Sequence, residues 1–213
     1  MEMYDTEEQQ VEAIKRWWQE NGNFVIVGIA VGLAVVLGWR LYQDNELSNK
    51  EAASSSYQAL QTSIDAKGYG AAAELQAYID SNKGSNYSFM AALQLAKLAV
   101  DGDKFAEAEA QLSYVISAAA ANNPLLPVAV LRLARLQVTQ AKYDEALATL
   151  TATTLDVAFT ATVEELKGDI YVAQNVTEKA RIAYQAAIDN GGLENNAVLQ
   201  TKINQLSVIE AAQ

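Results

Sequence analysis

The chain of 213 residues contains no cysteine and no histidine. Without histidine the common acid/base pairings, Ser-His-Asp and Cys-His nucleophiles and the usual zinc sites are unavailable. Lipoprotein acylation needs a cysteine and is excluded; the same absence is compatible with an oxidising or a reducing compartment. There is no glycine loop of the kind that cradles phosphate, because Gly191-Gly192 follows one helical stretch and precedes another and reads as a helix C-cap. Carboxylate pairs do occur, Glu107 with Glu109 and Glu164 with Glu165, yet on helices such pairs form a solvated face far more often than an acid/base site. The chain is expected to be no enzyme, with no catalytic residues, no cofactor and no metal. Positive charge is also scarce: the net charge is −11, and beyond residue 43 twelve basic face twenty acidic residues. Phosphate binding is therefore disfavoured, and no nucleic-acid partner is expected.

Charge of either sign is missing altogether from residues 21 to 39, which as a helix span about 28 Å, the thickness of a bilayer core. Trp17, Trp18 and Phe24 on one side and Trp39 and Tyr42 on the other supply aromatic belts for the two headgroup layers. A cleaved signal peptide would need a shorter run ending on small residues, and this run ends on Trp39-Arg40-Leu41-Tyr42. The expectation is a transmembrane helix over 21–42 in contact with the lipid bilayer. Within it Gly28 and Gly32, with a second row of Ala30, Ala34 and Gly38, have the spacing that lets another helix backbone approach closely. Glycine and alanine are common in spans in any case, so a helix partner and plain composition both account for them.

Residues 1–20 form an acidic segment in which Asp5 and Glu8 are spaced as a capping pair and Val11, Ile14 and Trp18 recur at helical intervals. This predicts a short amphipathic helix on the membrane surface, where the acidic Glu2, Asp5, Glu7, Glu8 and Glu12 suit a protein contact as well as a lipid one, with a frayed terminus as the alternative. Lys15 and Arg16 before the span balance Arg40 and Lys50 after it, so charge counting does not orient the chain.

Beyond Gln43 the sequence is alanine-rich, poor in strand signals, and holds the only two prolines, Pro124 and Pro127. Apolar periodicity predicts helices over about 48–67 and 71–81, 87–101 and 104–119, 125–140 and 143–152, 159–173 and 177–190, and a last one near 194–209. Asn122-Asn123-Pro124 signals a helix start. Ala134, Ala146 and Leu150 have counterparts in Gly168, Ala180 and Tyr184 and in Ala96, Ala108 and Leu112. Ala108, Ala146 and Ala180 are 38 and 34 residues apart, close to the roughly 34-residue tetratricopeptide period. One helix pair cannot bury its apolar face alone, so the pairs must stack, and the last helix, with Lys202, Asn204 and Gln205 beside Ile203 and Leu206, suits a polar-faced cap. The fold class expected is all-α: one N-terminal transmembrane helix, then a tetratricopeptide-like helical-repeat solenoid over 43–213.

In such superhelices the first helix of each pair lines the concave face. Aligned this way, the units place Met90, Leu93, Lys97, Val128, Leu131, Arg135, Glu165, Asp169 and Val172 there, with Lys97, Arg135 and Asp169 at equivalent positions. Mixed apolar and charged groups suit an extended peptide or a partner's loop or helix. Packing between helices accounts equally for some of them.

Gln10-Val11-Glu12-Ala13-Ile14-Lys15-Arg16-Trp17-Trp18, then Glu20-Asn21-Gly22, Gly38-Trp39-Arg40, Leu131-Arg132-Leu133-Ala134-Arg135 and Lys202-Ile203-Asn204-Gln205-Leu206 resemble the YfgM family over essentially the whole length. The resemblance implies a single-pass bacterial inner-membrane protein with a cytoplasmic N-terminus and a periplasmic repeat domain. It further implies an ancillary subunit of the SecYEG translocon that partners the chaperone PpiD and helps to handle translocating polypeptide. A membrane-anchored regulatory scaffold that sequesters a signalling partner is the alternative.

Overall fold

The computed structural model describes residues 7–192 and 197–211, and Asp5 of the expected capping pair lies outside them. The described residues are helical apart from short turns, and the chain divides into two compact units at Ser55/Ser56.

The first helix, α1 (Glu7–Lys67), begins in the first unit and ends in the second. Sequence patterning predicts three pieces here, an amphipathic head, a span and the first repeat helix, whereas the structure has one uninterrupted helix. Proline is absent from the whole stretch, and isolated glycines cost only about 1 kcal/mol each in a helix. Nothing in the covalent chain is therefore strong enough to break it. The apolar window within α1 has a mean hydropathy of 2.3 and no residue of it is buried. Phe24, Val35 and Trp39 are 79, 66 and 63% exposed. The helix is long and apolar enough to cross a membrane.

The second unit begins with the last turns of α1, passes through a 3-10 turn at Gly68–Ala71, and continues as α2 (Ala72–Ser81), α3 (Asn86–Asp101) and α4 (Phe105–Ala118). There follow α5 (Leu125–Thr139), α6 (Tyr143–Ala152), α7 (Thr160–Ala173), α8 (Thr177–Asp189) and α9 (Ala197–Ala211). The boundaries lie within a few residues of the periodicity-based ones.

Three successive hairpins, α3–α4, α5–α6 and α7–α8, turn by one device. Asp103, Ala141 and Asn175 take left-handed φ angles of 57, 58 and 59°. In each, the amide after the left-handed residue reaches back to the carbonyl five residues earlier: Lys104 to Ala99 at 2.7 Å, Lys142 to Gln137 at 2.9 Å and Val176 to Tyr171 at 2.8 Å. These are Schellman closures, which satisfy helix-end carbonyls in a three-residue connection. Gly191 ends α8 in the same way at φ 85°, with Gly192 donating to Ala187 at 2.9 Å, so the Gly-Gly pair is a C-cap. Between pairs the starts are capped instead. Ser85 accepts from the Ser88 amide at 3.1 Å to open α3, and Asn123 accepts from the Leu125 amide at 2.9 Å to open α5.

Small residues sit where helices cross. Ala96, Ala108, Ala134, Ala146, Ala180 and Ala187 are at most 2% exposed. One core cluster joins Leu60 and Ile64 of α1 to Leu75 and Ile79 of α2, to Phe89 and Leu95 of α3, and onward to Leu133 and Leu136 of α5. A second joins the other side of α5, through Val130 and Ala134, to Leu150 and Ile170. A third packs Tyr184 and Ala187 of α8 against Leu199 and Leu206 of α9. Helix α5 thus contributes to two clusters, as expected of a repeat whose faces are each completed by a neighbour.

Candidate partner groove

The repeat register places Lys97, Arg135 and Asp169 at equivalent points of α3, α5 and α7, and the structure treats the three differently. Lys97 and Arg135 border one cavity of about 390 Å³ together with Arg132, Asp101 and Thr139. Its apolar wall comes from Ala96, Val100, Leu112 and Leu136. Lys97 is itself held, its ammonium 2.7 Å from Asp101 one turn along α3, an exposed i,i+4 pair of the weakly stabilising kind. The Arg132 signal was present in the sequence, three residues before Arg135 and so on the same helix face. Helical register aligned to a single repeat position does not capture it.

Asp169 belongs to another arrangement. Lys202 of α9 donates to Glu165 at 2.8 Å and to Asp169 at 2.8 Å, and the Tyr184 hydroxyl donates to Asp169 at 2.7 Å. The Lys202 ammonium also lies over the Tyr184 ring, 5.8 Å from its centroid. Burial acts to lower the Lys202 pKa, but the hydrogen bonds to Asp169 and Glu165 outweigh it and hold it above the usual lysine range. Burial, reinforced by the bond to Asp169, pushes the Tyr184 hydroxyl upward as well. Glu165 and Asp169 therefore seat the terminal helix.

Of the other expected groove residues, Leu93 and Leu131 are buried, 6 and 8% exposed, and pack in the core clusters. Val128 is half-buried against the first cluster. Met90 and Val172 are partly open to solvent at 38 and 39%. The nine positions thus sort into a cavity rim (Lys97, Arg135), a helix seat (Glu165, Asp169), packing (Leu93, Val128, Leu131) and surface (Met90, Val172).

On α1, a side chain built at Gly28, Gly32 or Gly38 would meet nothing within 4 Å among the described residues. Ala30 and Ala34 are likewise exposed.

Capped helix pairs at a 34-to-38-residue period, with alanine at the crossings, define a tetratricopeptide-like repeat scaffold. Residues 15–208 match the family described as tetratricopeptide repeat-like domain. The chain is 32% identical to the ancillary SecYEG translocon subunit of Escherichia coli strain K12, over 98% of its own length and all of that protein's. It is 31% identical to the protein of the same description from Aggregatibacter actinomycetemcomitans, over 94 and 97% of the two chains, and 29% identical to that from Haemophilus influenzae, again over 94 and 97%. Among solved structures, MamA residues 41 to end from Desulfovibrio magneticus RS-1 superposes with a TM-score of 0.51 at 16% identity, covering 76% of this chain and 96% of that one. That likeness concerns the fold alone. The chain belongs to the YfgM family of ancillary SecYEG translocon subunits.

Proposed function

We propose that the protein is a non-catalytic accessory subunit of a SecYEG translocon. It is anchored by the apolar part of α1 and offers its repeat domain to partner polypeptides. The observation that carries this reading is similarity that runs end to end, across the apolar helix and the repeats alike, to proteins described as ancillary SecYEG translocon subunits. In this reading the N-terminus is cytoplasmic and the repeats are periplasmic. Gly28, Gly32 and Gly38 let α1 lie close against neighbouring spans. The cavity between α3 and α5 serves a partner, either the chaperone PpiD or chain leaving the channel.

The test is site-specific photocrosslinking from Gly32 and from Arg135 in intact bacterial membranes, with mass spectrometry of the adducts. SecYEG subunits at Gly32 and PpiD or translocating chain at Arg135 are the expected products. Adducts that contain neither, with the chain purifying free of SecYEG, would overturn the assignment.

A further inference from the structure

The basic side chains of the second unit are nearly all engaged within the fold. Lysines 67, 83, 97, 142, 167 and 202 and Arg181 each hold a carboxylate, and Lys104 and Lys179 lie over tyrosine rings. Among the described residues of that unit, only Arg132 and Arg135 have neither kind of partner, and both border the same cavity. The residues around that cavity carry three positive charges and one negative, in a chain whose net charge is −11. A net-positive rim over an apolar wall runs against the chain's overall negative charge, so it selects ligands by charge as well as by shape.

We propose that this cavity seats an acidic segment of a partner protein. One carboxylate of the segment is gripped by Arg132 and Arg135, and an adjacent large apolar side chain enters the space walled by Val100, Leu112 and Leu136. Guanidinium suits such a grip because it stays charged, presents donors in a planar fork, and binds a carboxylate through two parallel hydrogen bonds. Two of them three residues apart on one helix face can share one acceptor group or take two neighbouring ones. The volume of about 390 Å³ lies at the lower end of ligand-pocket sizes, which suits a single side chain anchor rather than a docked helix. Asp101, tied to Lys97, adds a like charge at one side, so the ligand carboxylate belongs at the α5 side of the rim. The proposal deepens the reading of this face as the partner face and rests on it.

The experiment uses the full chain in detergent micelles and a set of short fluorescein-labelled peptides on a Gly/Ser background. Each carries one Leu or Phe flanked by two Glu, with a matched set in which both Glu are Gln. Binding is read by fluorescence polarisation. The expected result is at least about tenfold weaker binding of the Gln peptides, and a similar loss for the Glu peptides with the Arg132→Gln, Arg135→Gln double variant. Lys167→Gln, whose lysine pairs with Glu164 elsewhere on the scaffold, leaves binding unchanged. Both arginines are exposed, so the double variant should keep the wild-type melting curve, which separates lost binding from lost fold. Equal binding of Glu and Gln peptides, insensitivity to the double substitution, or no binding by any member at millimolar peptide would overturn the proposal. So would displacement by an oligonucleotide or an anionic lipid micelle at concentrations where the acidic peptide itself does not compete. Co-purification with SecYEG is scored separately: if it persists while the peptides fail, this inference falls and the accessory-subunit reading stands. If SecYEG is absent from the wild type, that reading falls whatever the peptides do.

Discussion

Replacing Gly168 with alanine should destabilise the protein by about 2 kcal/mol, although alanine is the better helix former. A Cβ at this position would lie 2.3 Å from both Cδ1 and Cε1 of Tyr184 and 3.0 Å from its Cγ. Ordinary carbon contacts are about 3.5–4.0 Å, so the ring must withdraw by more than an ångström. It has little room to do so: Tyr184 is 2% exposed, its hydroxyl bonds to Asp169, and it packs with Ala180, Ala187, Leu199 and Leu206. Overpacking of this kind costs about 1–3 kcal/mol, and loss of the hydroxyl bond about 1 more. Against this stands about 1 kcal/mol of helix propensity gained by removing glycine. For a protein of this size the net effect corresponds to a melting temperature lower by roughly 4–8 °C. Circular dichroism melts of the full chain in micelles measure it. The repeat register supplies the control, since the equivalents of Gly168 and Tyr184 are Ala134 with Leu150 and Ala96 with Leu112, all buried. Bulk moves from one helix to the other while the crossing stays filled. The double variant Gly168→Ala, Tyr184→Leu rebuilds the Ala–Leu pairing and should melt above Gly168→Ala alone. An unchanged or raised melting temperature for the single variant, with no coupling to Tyr184, would refute the reasoning.

Ala141 holds a left-handed φ of 58° at which a Cβ costs about 1–2 kcal/mol, so Ala141→Gly should stabilise by roughly 0.5–1 kcal/mol after glycine's extra backbone entropy; urea titration at constant m-value reads it, and destabilisation would contradict the turn geometry. Lys202→Met removes the cation shared by Glu165 and Asp169; because all three side chains are 20–36% exposed the cost is about 1–2 kcal/mol rather than that of a fully buried pair. Amide exchange in α9 should speed up by roughly tenfold while α3 stays protected. Stability should also fall at alkaline pH. Tyr184 and Lys202 both have raised pKa values in the fold, so their contribution is complete below the unfolded-state values near 10 and is lost as pH climbs through the folded ones. Tyr184→Phe should flatten that decline, which denaturation series between pH 8 and pH 11 or so would reveal.

Helices and their pairing were legible because their signals are local. Alanine at the crossings, apolar residues three and four apart, and Asn123-Pro124 before α5 each act within a turn or two of chain. The continuity of α1 was not legible, because composition changes at Asn21 and again near Gln43 look like boundaries while the backbone needs only the absence of a breaker. The turns at Asp103, Ala141 and Asn175 share no residue type. Their common left-handed geometry is imposed by the helices they join, and it shows in the sequence only as the repeat period itself. The register of the first helices was legible, but not which of its positions pack inside, seat a neighbouring helix or border a cavity. Periodicity brings Lys97, Arg135 and Asp169 into register, yet whether such a residue is open depends on partners at Asp101 and Lys202, and the latter comes from a helix beyond the last repeat.

That dependence also explains how one scaffold position serves opposite ends. At the repeat position held by Lys97 and Arg135 a cation borders an open cavity, whereas in α7 the same position carries a carboxylate already claimed by α9. The backbone of each hairpin is closed by the same Schellman bonds, and the crossings are filled by Ala–Leu or Gly–Tyr pairs of similar total volume. Exposed charges at the register position bear little of the folding free energy. The sign there can therefore differ from one unit to the next, provided that a carboxylate as enclosed as Asp169 has a cation such as Lys202 to meet. The acidic version recruits the chain's own lysine from α9, whereas the basic version, with Arg132 beside it, borders the α3–α5 cavity. Converting Asp169 to lysine should then repel Lys202 and free α9 while leaving the α3–α5 cavity intact. Faster exchange confined to α9, with acidic-peptide binding unchanged, is the pattern that separates the two roles.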